Sequence, residues 1–126
     1  MYTYEFTQES DYNGLEIRNA LIKKIDLDCV GHFGDIIIPK ISIESGSIYF
    51  NFMYGYNITR DCGYFIRHLV RLLDLSKDDG VSLSDIRNIP CRVVCKDTRH
   101  VAIGHFTSDR FLDVEGFIDW CNNGRS

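Results

Sequence analysis

The stretch SIYFNFMYGYNITRDCGYFIRHLVRLLDL, residues 47–75, changes its hydrophobic period in mid-course, and that change decides the fold. From Ser47 to Tyr56 the chain alternates Ile48, Phe50, Phe52 and Tyr54 against Tyr49, Asn51 and Met53. Period two with aromatic and β-branched residues predicts a strand with one buried face. From Asn57 to Leu75 the spacing becomes helical. Phe65, Ile66, Leu69, Leu72 and Leu73 fall on one stripe, with Asn57 or Thr59 available as the N-cap.

Upstream, Ile36–Ile43 is β-branched and bounded by glycine signals, which predicts a strand. Pro39 inside it cannot donate to a ladder, so an edge strand or a bulge is expected there. Gly31–Asp35 reads as a loop. Between Glu16 and Cys29, Ala20, Leu21, Ile22 and Ile25 suit either period, and only the end, where Ile25, Leu27 and Cys29 alternate with Asp26 and Asp28, reads as strand.

Downstream, Lys77-Asp78-Asp79-Gly80 ends the helix and Ser82–Ile86 forms a short helical turn. Cys91–Cys95 and Val101–Phe106 are two strands joined by Lys96–Arg99, with Val93 and Ile103 expected as adjacent core residues. Leu112–Trp120 is a terminal helix with Asp113 near its start, stopped by Asn122-Asn123-Gly124. The order is β-β-β-α-β-β-α. This predicts one α+β domain, residues 1–126, with an antiparallel sheet of about five strands, one main helix and a C-terminal helix, the helices on one face.

The 126 residues suffice for a core without metal or disulfide, and there is no linker, repeat or low-complexity segment. Net charge is −4, and neither half of the chain is basic, so bulk charge gives no sign of a nucleic-acid partner. No apolar run is long enough to cross a membrane. Cys29, Cys62, Cys91, Cys95 and Cys121 are odd in number. A cytoplasmic protein with reduced thiols is expected.

Chemical motifs are sparse. Cys91 and Cys95 share a strand face and could begin a metal site with His100 or His105, but they lack the tight paired spacing of zinc sites, so buried thiols and no metal are expected. Gly31-His32-Phe33-Gly34 and Gly55 lack the spacing of a dinucleotide loop, and no cofactor is expected. His105 has no sequence-evident partner for base catalysis, although Asp109 and Asp113 are near, and a role bonded to backbone at a strand end is expected. No residue is assigned a catalytic role.

The one local basic feature is a helical stripe of Arg60, Tyr64, Arg67 and Arg71. It is either a solvated face opposite the apolar stripe or a surface for an anion or partner, because Arg recognises carboxylate and phosphate in bidentate fashion. Tyr54 and Tyr56 of the aromatic segment are the other candidate binding residues.

Three pieces of residues 48–113 carry a resemblance. They are Phe52-Met53-Tyr54-Gly55-Tyr56 leading to Phe65-Ile66-Arg67, then Ser82-Leu83-Ser84-Asp85-Ile86 before Pro90–Val94, and Val101-Ala102-Ile103-Gly104-His105-Phe106 followed by Asp109-Arg110-Phe111. This pattern resembles a family of small, largely uncharacterised proteins encoded by phages and prophages. It departs from that family in having less glycine before the helix and Phe111 where Trp is usual. The resemblance implies an accessory protein of the bacterial host cytoplasm that binds a host protein or complex, such as an anti-CRISPR inhibitor of host defence. Two alternatives belong to other classes: a small enzyme or nucleotide-binding protein using His105 and nearby carboxylates, and a nucleic-acid-associated module using the arginine stripe. A small anionic ligand, or a second copy paired through an edge strand, are further partners consistent with the sequence.

Overall fold

The computed structural model describes residues 4–30, 36–50, 58–75 and 82–124. In chain order the elements are β1 (Glu16–Val30), β2 (Ile36–Ile43), β3 (Gly46–Tyr49), α1 (Ile58–Leu73), β4 (Ile89–Lys96), β5 (Arg99–His105), β6 (Phe111–Asp113) and α2 (Val114–Asp119). The strands form one antiparallel sheet ordered β3-β2-β1-β4-β5-β6. The α+β class and the strand–helix order match the sequence expectation, with one strand more.

That strand is β6. Its three residues pair with β5 where the sequence suggested the start of the last helix at Leu112. Three residues carry no period of their own, and their pairing is fixed by distant partners. The helix begins two residues later, at Val114, with Asp113 accepting the Gly116 N–H at 2.8 Å as its N-cap.

The ambiguous segment after Glu16 is one long strand. Glu16–Ile22 of β1 pairs with β4, Ile22–Val30 pairs with β2, and the register shifts between Ile22 and Lys24. A bulge bends a strand and increases its twist. The sheet therefore curls until the turn before β3 meets β5, where Ser45 Oγ lies 3.4 Å from His100 Nε2.

Pro39 does not mark an edge strand, because β2 lies between β1 and β3. Its carbonyl accepts the Phe50 N–H at 2.9 Å, so its polar side faces β3 at the end of that ladder. The missing donor thus leaves the β1–β2 ladder intact.

α1 packs in the hollow of the sheet across β2, β5 and β6. Phe65, Leu69, Leu72 and Leu73 meet Ile22, Ile41, Ile48, Val93, Ile103 and Leu112 in the main core. Val93 and Ile103 are paired across β4 and β5 and fully buried, as expected. Neighbouring residues point to the opposite face. There Val94, Ala102, Phe111 and Tyr12 form a second, smaller cluster, with Tyr12 supplied by a 3-10 turn at Glu9–Tyr12. Phe111 lies flat on Gly104 of the neighbouring strand. A Cβ there would sit 2.3 Å from the ring, so only glycine fits.

Candidate functional site

The arginine stripe lies on the face of α1 turned away from the core. Arg67 and Arg71 are exposed on successive turns. The Arg67 guanidinium lies 5.8 Å over the Tyr64 ring, and that of Arg71 lies 5.5 Å over Phe6. Half-buried Tyr64 in turn meets Trp120 edge to face at 5.2 Å. Three distant segments thus converge on one patch: the lead at Phe6, helix α1, and the turn after α2. Arg60 lies in the first turn of α1, with its side chain outside the described residues, as are Tyr54 and Tyr56 altogether.

Four of the other arginines differ. Arg18, Arg92, Arg99 and Arg110 each contact a carboxylate, of Glu16, Glu9, Glu115 and Asp74 respectively. Arg67 and Arg71 form no ion pair among the described residues.

His68 holds the patch together from beneath, and sequence reasoning passed over it. It is 1% exposed on α1. Its Nδ1–H donates to the Tyr64 carbonyl at 2.7 Å, and its Nε2 accepts the Tyr4 N–H at 3.2 Å. These two bonds fix one neutral tautomer. The rings of Tyr4, Phe6, Phe117 and Trp120 surround it, centroids 5.2–6.4 Å away. Burial, with Arg71 and Arg67 adding to it, pushes its pKa below the ordinary histidine value, although the Tyr64 carbonyl pulls the other way. The position was legible in part, since His68 falls beside Leu69 at the border of the apolar stripe. Phe6 and Trp120 are brought in by tertiary contacts alone.

A second cluster closes the far end of α1. Asp74 follows the helix with φ 56°, in the left-handed region, and the Leu75 N–H bonds the Val70 carbonyl at 3.0 Å. This is a Schellman ending with Asp in place of the usual Gly. A non-glycine residue there costs on the order of 1 kcal/mol. The Asp74 carboxylate offsets it by holding Arg110, whose Nε–H also bonds the Leu72 carbonyl at 3.0 Å. A cation at the carbonyl end of a helix is favoured by the helix dipole.

His105 belongs to this cluster. Its Nε2 lies 3.3 Å from Asp74, not near Asp109 or Asp113. Its Nδ1 accepts the N–H groups of Thr107 and Ser108 at 3.1 and 2.9 Å. Both nitrogens are thus taken up in fixing the loop after β5. Asp109 accepts the Glu9 N–H at 2.6 Å, and Asp113 caps α2.

Cys62, Cys91, Cys95 and Cys121 are buried and free of disulfides. Burial, then the charge of Glu44, pushes the Cys91 thiol up to about 12. Cys95 Sγ accepts from Arg18 at 3.1 Å. Among the described residues no group of three His, Cys, Asp or Glu is placed to hold a metal, and no helix is long and apolar enough to cross a membrane. A cleft of about 310 Å³ between β3 and β5 is lined in larger part by apolar surface, Ile48, Val101 and Val114 among it, and Arg99 at its wall pairs with Glu115 at 3.6 Å.

Comparison with protein-family models, with curated proteins and with solved structures finds no significant match.

Proposed function

We propose that this protein acts by binding, and that it docks on an anionic surface of a partner protein through the arginine–aromatic face of α1. One observation carries this reading: on a chain of net charge −4, Arg67 and Arg71 are exposed, rest on aromatic rings and meet no carboxylate among the described residues. Arg beside Tyr and Trp is also the composition of interface hot spots. The resemblance of residues 48–113 to phage accessory proteins supports a bacterial host protein as the partner, with a component of a defence system such as CRISPR as the leading class.

The test is differential capture from a bacterial lysate by the wild-type chain and by the Arg67→Glu/Arg71→Glu variant, with melting temperatures measured on both. A partner retained by the wild type and lost by a variant of unchanged stability is the expected result. A partner retained equally by both places the binding surface elsewhere.

A further inference from the structure

The chemistry of the same face narrows what it takes, if the docking reading above holds. We propose that Arg67 and Arg71 receive two carboxylates spaced about one helical turn apart on an acidic protein segment, not a nucleic-acid backbone.

The arginines are four residues apart, so their anchors are separated by roughly 6 Å along the helix. The Arg67 guanidinium carbon lies 5.8 Å over the Tyr64 ring and that of Arg71 5.5 Å over the Phe6 ring. Neither guanidinium meets a carboxylate among the described residues, so the N–H edges that match a carboxylate in bidentate fashion are left for a partner. Half-buried Phe6, Tyr64 and Trp120 lie around the pair and offer apolar contact to a side chain between the two acids.

A single strand of nucleic acid needs ring faces on which bases stack. Here two of those rings already carry a guanidinium, Arg67 over Tyr64 and Arg71 over Phe6, and Trp120 stacks one face on Phe117 at 5.8 Å and meets Tyr64 edge to face. A backbone long enough to bind would also run past the pair along a chain of net negative charge, and among the described side chains of α1 no further arginine or lysine extends the pair. A short acidic segment satisfies the two arginines and ends there.

Trp120 is the only tryptophan of the chain and sits in the patch, so its emission reports occupancy. The full chain is titrated with a helical peptide carrying Glu at positions i and i+4 around a Leu, with the Gln twin of that peptide, and with a mixed-sequence single-stranded oligonucleotide. The expected result is a saturable shift with the Glu peptide, weakened about tenfold or more in the Gln twin and in Arg67→Gln/Arg71→Gln protein. No saturable response to the Glu peptide, or equal response to its Gln twin, overturns the carboxylate assignment. Oligonucleotide binding that depends on both arginines also overturns it, while leaving the face as the docking surface. Glu-peptide binding that is indifferent to both arginines removes the face from the account altogether.

Discussion

The carbonyl end and the outer face of α1 each carry arginine chemistry and use it in opposite ways. At the carbonyl end, Arg110 reaches in from the loop before β6, bonds the Leu72 carbonyl and pairs with Asp74, which in turn faces His105. Its donors complete the helix. On the outer face, Arg67 and Arg71 rest on rings and leave their donors toward solvent. The contrast separates arginine that closes a fold from arginine that is free to recognise something. The number of arginines in a sequence stripe does not make that distinction; their partners do.

Both depend on the buried stripe of α1, and breaking it has the largest effect. Leu69 is fully buried beneath the patch. Leu69→Ala is expected to cost about 2–5 kcal/mol in denaturant unfolding, as for other cavity-forming changes. A cost below about 0.5 kcal/mol, typical of surface sites, would mean that α1 does not pack on the sheet.

Arg110→Ala removes the helix ending and the Asp74 pair together. Because the side chain is 28% exposed and Asp74 more so, solvent screens much of the pair, and a loss of about 1 kcal/mol is expected. Protein of this size should then melt roughly 3–5 °C lower. An unchanged melting temperature would mean that Arg110 does not close the helix and would dissolve the contrast.

Acid should loosen the outer face. His68 Nε2 accepts the Tyr4 N–H, and protonation would set a donor against a donor. Its folded pKa lies below the ordinary 6.5, so between the two values the unfolded chain binds more protons. Stability from this group is complete above about pH 6.5 and declines as pH falls from there toward the folded value. His100 is shifted the same way, by burial and by Arg18, and is replaced by Asn in both chains compared. Chemical unfolding at pH 7 and pH 5.5 should show a decline that shrinks in His68→Asn. Equal declines with and without His68 would contradict the role given to it.

Much of this architecture was legible in the sequence. The period change at residues 47–75 marked the start of β3 and the helix α1, the expected strand residues 51–56 lying outside the described residues, and the alternation around Val93 and Ile103 marked the β4–β5 pair. What escaped depends on distant partners. β1 looked ambiguous because its two halves serve β4 and β2 across a bulge, so no single period runs through it. Pro39 looked like an edge signal because sequence does not reveal which side of a strand its missing donor faces. Of the candidate site, the stripe itself was visible in Tyr64, Arg67 and Arg71. The rings of Phe6 and Trp120, and the His68 bond to Tyr4, join residues more than forty positions apart and leave no local pattern.

The smallest expected effect on stability is the most informative one. Arg67→Glu and Arg110→Ala are prepared side by side, and each is measured for melting temperature and for affinity toward the partner retained by the wild type. The account predicts a crossed outcome: Arg67→Glu changes stability by less than about 0.5 kcal/mol and loses the partner, whereas Arg110→Ala melts lower and, while folded, keeps it. Loss of binding only in Arg110→Ala, or an Arg67→Glu protein that binds as well as the wild type, would contradict the assignment of the outer face as the docking surface.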